Sequence, residues 1–420
     1  MLEKVLLKNV GVRYVERIGV YIAHGGYQAV RKALLELEPQ EVIEMVKKSG
    51  LRGRGGAGFP TGLKWDFMPK DPNLTKYLCI NFDEGETGTF KDRYLVEEDP
   101  HQVLEGAIIA AYAVGASKAY IYTRGEFPLG LKRWIKAVAE AYGRGFLGEN
   151  ILGTDFSLDV YVHSGAGAYI CGEETALMNS LEGKRGEPRI KPPFPTQAGL
   201  FGQPTIINNV ETLACVPHII LRGPEWFASI GTEESTGPKL FSVSGHVEKP
   251  GNYELPMGTP LREIIYGHAG GIKDGRKLKA ILPGGVSTPM LTPEHLDVPM
   301  AFETLPKVGS MLGTGAVIVM DESTCIVNAV LHMARFFAHE SCSKCVPCRV
   351  GTHVMTKILQ RIENGEGREG DVDQLLDLCN SIRGKTFCPM GDATTNPLAS
   401  SIQYFREEYE YHIREKRCMV

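Results

Sequence analysis

The chain has 420 residues, 43% hydrophobic and 23% charged, enough for roughly three domains that bury ample core without cross-links. A formal net charge of −4 leaves no basic footprint for nucleic acid, and no apolar run approaches the length of a membrane span. Residues 1–5 carry no signal segment, so the ten cysteines are expected in a reducing, cytoplasmic compartment, where clustering points to metal or redox use rather than to disulfides.

After a short opening segment, Gly25 and Gly26 punctuate the chain. Periodicity then predicts helices over 27–37 and 39–49, the second with Val42, Ile43 and Val46 on one face. A glycine-rich stretch follows, in which Gly53, Gly55 and Gly58 spell G-x-G-x-x-G. That dinucleotide fingerprint needs a strand before it and a helix opening from it. Here a helix precedes it and Phe59-Pro60 blocks a smooth helical exit, which argues against the label. The glycines still bring backbone close to something, whether a phosphate or a flat ring, unless they form a plain surface loop.

Residues 76–81 read as a buried strand that ends in the acidic turn of Asp83, Glu84 and Glu86. An apolar helix at 101–114, a strand at 119–123, a helix at 129–142 and a strand at 158–163 continue the alternation. This predicts an α/β domain with a mostly parallel sheet, whose ligand crevice lies beyond the carboxyl ends of the strands. A second glycine segment, 164–172, falls there and leads to a helix opening near Gly172, with Glu173 and Glu174 in its first turn. Acids in that position also serve as ordinary dipole partners. The basic, proline-rich loop over 183–195 carries Lys184, Arg185, Arg189 and Lys191; it is either solvated charge or a phosphate contact. Residues 205–213 read as a strand, a polar turn at Asn208 and Asn209, and a helix.

Near Lys239 the texture changes. Short strands at 240–243 and 253–255, a helix at 261–268 and a strand at 278–282 predict a small ββαβ unit with nothing chemical in it. From Asp321 onward four amphipathic helices, at 321–339, 352–364, 372–382 and 396–414, predict a bundle. Between the first two stand Cys342, Cys345 and Cys348 at C-x2-C-x2-C spacing, and forty residues further on comes Cys388-Pro389. Three thiolates on a tight loop and one distal cysteine suit the corners of a cubane iron–sulfur cluster. Zinc is the rival, although structural zinc sites more often pair two C-x2-C knuckles. Cys379 is an alternative fourth ligand, but its place on an apolar helix face suits a packed thiol. Cys79, Cys171, Cys215, Cys325 and Cys418 show no partner spacing, and all but the terminal Cys418 are expected in the core.

Taken together, these motifs resemble the NADH- and flavin-binding subunit of respiratory complex I. The resemblance rests on Gly53 to Gly62 with Lys64 and Trp65, Asn81 to Arg93, Gly165 to Glu174, Asn208 to Thr212 and the cysteine set, in that order along almost the whole chain. It implies a Rossmann-like FMN- and NADH-binding α/β domain with a parallel sheet over 1–237, a ubiquitin-like β-grasp domain over 238–320, and a helical bundle holding a [4Fe-4S] cluster over 321–420. FMN is implied at Gly53, Arg54, Gly55, Gly56, Lys64, Asn81, Asp83, Glu84, Tyr169, Gly172, Glu173, Glu174, Asn208 and Asn209. NADH is implied at Gly56, Phe59, Phe67, Glu86, Glu174, Lys191 and Phe194, with the aromatics on adenine and the two acids, Glu86 and Glu174, as the catalytic positions beside nicotinamide. The cluster is implied at Cys342, Cys345, Cys348 and Cys388.

As partners the resemblance implies a thioredoxin-like [2Fe-2S] subunit and a large multi-cluster iron–sulfur subunit. The assembly is implied to lie in the cytoplasm, peripheral to the inner membrane, without direct insertion of this chain. The function so implied is electron input from NADH, through flavin and cluster, toward quinone. Two alternatives stay open: the diaphorase subunit of a soluble NAD-dependent hydrogenase or formate dehydrogenase, and, in a different class, a zinc-scaffolded nucleotide-binding protein. Three positions depart from the family's pattern, which usually has a small residue at Phe82, proline at Thr87 and glycine at Ser343. Phe82 and Thr87 are expected to reshape the flavin-edge loop, and Ser343 to alter hydrogen bonding near the cluster.

Overall fold

A computed structural model describes residues 3–420; of the opening segment read above, positions 1 and 2 lie outside it. Four strands, β1 (Tyr77–Phe82), β2 (Lys118–Thr123), β3 (Asp159–Ser164) and β4 (Thr205–Asn209), form a wholly parallel sheet in the order β3-β2-β1-β4. β1 is buried along nearly its whole length, as an inner strand covered on both faces should be. The chain runs outward from β1 to β3 and then returns to add β4 on the other side of β1. The boundary between β1 and β4 is therefore a topological switch point, where a crevice opens at the strand ends.

The helix Pro100–Val114 is almost wholly buried behind this sheet. Asp99 caps it, Pro100 opens it, and Gly115 at φ 71° ends it. A Cβ at Gly106 would collide with the Leu213 carbonyl, so this glycine lets the helix Val210–Arg222 approach closely.

The expected ββαβ unit has a fourth strand. β5 (Pro238–Gly245), β6 (Gly251–Pro256), β7 (Leu278–Leu282) and β8 (Ala316–Asp321) form a mixed sheet in the order β6-β5-β8-β7. β8 sits between β5, to which it is parallel, and β7, to which it is antiparallel. Its continuous apolar run ends where the bundle begins, so periodicity alone merges its end with the following helix. The expected helix at 261–268 is mostly a π-helical turn, Glu263–His268.

The bundle consists of Ile326–Glu340, Val346–Glu363, Asp371–Ile382 and Met390–Glu415 around Leu331, Phe337, Met355, Leu359, Leu375 and Tyr409. Its second and fourth helices begin well before the expected starts at 352 and 396. Pro347 lies in a first helical turn, where its missing N–H costs nothing. Short helices at Ile18–Ala23, Thr61–Asp66, Lys91–Glu98 and Pro224–Ala228 add to those expected from periodicity. Among the described residues no helix is long and apolar enough to cross a membrane.

Candidate active site and cysteine centre

A cavity of about 490 Å³ opens at the ends of β1 and β4, within the ~300–1,000 Å³ range of small-molecule and cofactor sites. The α/β domain contributes the glycine loop at Gly55 and Gly56, then Asn81, Asp83, Glu84 and Glu86, then Tyr169, Gly172 and Glu173, then Asn209. Gly284, Ser287, Met311 and Thr314 of the small β domain form a second wall. Cys388, Asp392 and Asn396 of the bundle form a third. The small domain thus takes part in the site, against the expectation that it carries no chemistry.

The glycine loop follows a helix, Pro39–Lys48, as expected, yet a short helix, Thr61–Asp66, does open just after Pro60. Among the described residues no strand precedes the loop, so the Rossmann fingerprint is absent in three dimensions. A Cβ at Gly55 would stand 3.1 Å from the Asn209 Cβ, and Gly56 has φ 125°. On the facing side a Cβ at Gly172 would stand 3.4 Å from the Asp83 carbonyl, and one at Gly85 3.0 Å from the Tyr169 ring. Gly56 needs its glycine backbone, and side chains at Gly55 or Gly85 would crowd the cradle wall.

The polar wall is placed by long-range bonds. Asn81 Nδ2 donates to the Gly172 carbonyl at 2.9 Å, tying β1 to the second glycine segment. Glu84 accepts from the amides of Asp92 and Arg93 at 2.8 and 2.9 Å, at the start of the helix Lys91–Glu98. Asn209 caps the helix after β4 by accepting from Glu211 N, and its Nδ2 donates to Asp92 Oδ2 at 2.6 Å. The polar turn expected between β4 and its helix is this single cap residue. Glu86 accepts from Ser287 N, Ser287 Oγ and Tyr169 OH, each at 2.7 Å. Asn396 Nδ2 donates to the Ser287 carbonyl at 2.9 Å, so all three domains meet at this carboxylate.

Burial pushes Asp83 up to about 7 although Arg124 lies 3.3 Å away, and it pushes Glu84 up to about 7 with help from Asp92. Glu86 is raised by burial too, against its three donors. Lys91, which no sequence signal singles out, lies 2.7 Å from Asp92 and 2.8 Å from Glu211 with 1% of its side chain exposed. Burial opposes its charge, but Asp92, Glu211 and Glu84 hold it above the ordinary lysine range.

Several expected flavin positions stand off the cavity wall. Arg54 is buried, its Nη2 donating to the carbonyls of Thr236 and Pro238 at 2.6 and 3.1 Å, with Nε and Nη1 unpartnered. Asn208 accepts from Trp65 Nε1 at 2.9 Å. Lys64 donates to Glu174 Oε2 at 2.9 Å and to the Ile207 carbonyl at 2.8 Å. On the other side of Glu174, Lys191 donates to Oε1 at 2.6 Å. Burial opposes ionisation of Glu174, but the two lysines overcome it and bring the carboxyl down to about 2. Glu173 acts as the helix cap, accepting from the amides of Thr175 and Ala176 at 2.9 and 3.0 Å, while also lining the cavity. Phe59, Phe67 and Phe194 are 47%, 55% and 52% exposed, free to meet a visiting ring; the first two lie 6.3 Å apart.

The basic loop is occupied by protein partners rather than left for phosphate. Arg189 donates to Asn179, Gly199 and Glu182. Arg185 donates to the Cys342 carbonyl at 2.8 Å, and Lys344 reaches back to the Pro188 carbonyl at 2.7 Å. This loop therefore braces the cysteine segment. Cys345 is the N-cap of Val346–Glu363 and Cys348 lies in its first turn, so the three cysteines straddle a helix start instead of preceding it by a loop. Cys388 stands just before Met390–Glu415, close enough to Cys342 and Cys348 to feel their charge; burial pushes its thiol up to about 12. Cys379 is 1% exposed within the bundle core, Sγ 3.9 Å from the Thr395 carbonyl, as a packed thiol should be.

Of the three departures, Phe82 is wholly buried against Phe127, with ring centroids 5.4 Å apart, so it faces the core and leaves the crevice loop alone. Thr87 is exposed. Ser343 has φ 64°, a left-handed conformation that glycine adopts at less cost.

The cradle, with its glycine walls, polar edges and one aromatic ring, fits a flavin mononucleotide, and the four-thiol donor set at two helix starts fits an iron–sulfur cubane. Comparison with known proteins agrees with both. The family described as the Nuo51 FMN-binding domain matches residues 46–218, the NADH-ubiquinone oxidoreductase-F iron-sulfur binding region matches 328–412, and the SLBB domain matches 240–291. The chain is 56% identical over 418 residues to an F-type subunit of the NADH-quinone oxidoreductase of Rhizobium meliloti, spanning 100% of this chain and 99% of that one. The F-type counterpart from Streptomyces coelicolor is 53% identical over 401 residues, covering 96% and 89%. A chain of the crystal structure of an NAD+-reducing [NiFe]-hydrogenase in the H2-reduced state is 38% identical with a TM-score of 0.84, covering 95% of this chain and 67% of that one.

Proposed function

Because the chain belongs to the family of NADH-quinone oxidoreductase F-type subunits, we propose that the three-walled crevice is where FMN resides and NADH visits. The protein is the FMN-binding, NADH-oxidising subunit of complex I and passes electrons through a [4Fe-4S] centre, with other subunits of that enzyme as partners. Held there, a flavin would supply two-electron acceptance of hydride from NADH and one-electron release, which a cluster requires.

The side chains position and tune. Gly55, Gly56 and Gly172 would let backbone approach the flavin, Asn81, Asp83, Glu84 and Asn209 would hold its polar edges, and Tyr169 would hold its ring. Arg54 and Lys64 would add positive charge behind the wall, Lys64 toward a phosphate or a flavin edge, Gly53 and Asn208 support the loop and the strand end, and Glu173 keeps the helix start in place. Phe59, Phe67 and Phe194 stack on the adenine of NADH. Glu86, Glu174 and Lys191 hold the nicotinamide side. Glu174 stays ionised between two lysines, so it orients and does not exchange protons at neutral pH. Cys342, Cys345, Cys348 and Cys388 hold the cluster. Cys388 carries the reading furthest, because the same residue lines the flavin cavity and belongs to the stretch that matches the iron-sulfur binding region. The units 1–237, 238–320 and 321–420 then divide the labour among flavin, crevice wall and cluster.

We assign as neighbours a thioredoxin-like [2Fe-2S] subunit and a multi-cluster iron–sulfur subunit, in an assembly on the cytoplasmic side of the inner membrane. The diaphorase reading is weaker, since the chain is 56% identical to an F-type relative but 38% identical to the hydrogenase chain. The test is Cys388→Ser, followed by visible and EPR spectra after anaerobic reduction. Flavin absorbance is retained and the four-iron signal disappears. An intact four-iron signal would transfer the fourth ligand to Cys379.

A further inference from the structure

Apart from the cluster cysteines, another group of soft donors converges in the bundle. Cys325, His412 and Cys418 place two sulfurs and a ring nitrogen within 4.8 Å of one another. They come from separate places: Cys325 is the N-cap of Ile326–Glu340, His412 lies in the last turn of Met390–Glu415, and Cys418 follows that helix. No sequence spacing relates them, which is why Cys325 and Cys418 read as unrelated thiols.

Cys325 Sγ stands 3.4 Å from His412 Nε2. With zinc–sulfur bonds near 2.3 Å and zinc–nitrogen bonds near 2.05 Å, the edge joining two such ligands in a tetrahedron is about 3.6 Å. A thiol–imidazole hydrogen bond has a similar length, so this spacing alone does not decide. The third donor does, because Cys418 brings a second sulfur within 4.8 Å of both atoms. His412 is 1% exposed, and its buried Nδ1 has no hydrogen-bond partner. It faces Glu363 Oε2 at 3.8 Å, and Glu363 is itself held by Asn328 Nδ2, which donates to Oε1 at 2.8 Å. A histidine bound to metal through one nitrogen turns the other toward a carboxylate, which fixes the ring. Asn328 N also donates to Cys325 Sγ at 3.4 Å, while burial pushes the metal-free thiol up to about 12.

We propose that Cys325 Sγ, Cys418 Sγ and His412 Nε2 bind one zinc-class divalent cation, with water as the fourth ligand and Glu363 orienting His412. Two thiolates and an imidazole select a borderline-soft ion over magnesium or calcium. Binding releases the two thiol protons to solvent, and no electrons move. The ion staples the end of the last helix to the start of the first bundle helix.

The test uses the full chain carrying flavin and cluster, equilibrated with Zn2+ alone and desalted, with zinc, iron and flavin counted per chain. One tightly held zinc is expected, lost in Cys418→Ser and in His412→Gln while iron and flavin stay at the parent level. Glu363→Gln weakens zinc about tenfold or more. Cys418 follows the last helix, so its substitution leaves the helices whole. Zinc scavenged by the four cluster cysteines does not respond to Cys418. A parent chain that holds no zinc, a Cys418→Ser chain that holds as much as the parent, or quantitative recovery of a Cys325–Cys418 disulfide overturns the proposal.

Discussion

The crevice and the cysteine loop both use helix starts, yet they are held in opposite ways. In the crevice Glu86 is placed by Ser287 and Asp92 by Asn209, and behind it Glu211 by Lys91 and Lys239, all partners far off in the chain, while Glu84 and Glu173 are held by near neighbours. The cysteine loop is shaped mostly from within, by a helix start at Cys345, a serine at φ 64° and the short bond between Ser341 Oγ and Cys348 Sγ at 3.2 Å, with Arg185 and Lys344 as outside braces. A ligand with many polar edges needs a wall fixed in advance. A cluster brings its own bonds and completes the loop that binds it.

The largest effect is expected where the crevice is most tightly coupled. Lys91→Ala leaves Asp92 with Asn209 but no cation in a buried site, and breaking such a pair costs about 3–5 kcal/mol. A urea-midpoint comparison checks it, and a loss under about 1 kcal/mol, the worth of a surface pair, would show the network to be dispensable.

Next come two carboxylates that pull in opposite directions with pH in the flavin-free chain. Asp83 is raised to about 7, so its contribution is full below about pH 4 and is lost as pH climbs through 7. Asp83→Asn removes that slope, of order 2–4 kcal/mol. Glu174 is lowered to about 2, so its contribution is present above about pH 4.5 and is lost as pH falls toward 2. Glu174→Gln flattens only that acid limb, by on the order of 2 kcal/mol for a side chain with partial exposure. Unfolding midpoints from acid to neutral pH separate the two, and identical profiles for both variants would contradict the contrast. The smallest effect is local. Ser343→Gly relieves the left-handed backbone and gains about 0.5 kcal/mol in thermal stability, with flavin content unchanged. A loss of flavin in that variant would mean that the two regions are not independent.

Local signals are legible in the sequence. The strands β1 to β4, the glycine segments and the cysteine spacing stand out, because each depends on neighbours a few residues apart. What escapes is set by distance along the chain. Ser287 bonds Glu86 across 201 residues, and nothing around Ser287 marks it as a wall. Lys91 carries no local mark of burial, since its burial depends on Glu211 from another helix. β8 is hidden because an inner strand has no alternation to show. The basic loop misleads for the same reason: Lys184 to Lys191 look unpaired until Glu182, Glu174 and the Cys342 carbonyl come beside them.

That the crevice takes walls from Gly55 at one end of the chain and Asn396 at the other bears on how the molecule is made. A ribosome delivers the sheet and the glycine loop long before the bundle, and the early domain folds while its third wall is still unsynthesised. The nucleotide cradle at that stage is a shallow, two-sided trough. Stable flavin capture therefore belongs to the finished polypeptide, after Cys388 and Asn396 have docked. A chain truncated before the last helix is expected to keep a folded first domain but lose its flavin on gel filtration, which absorbance of the eluted protein reads.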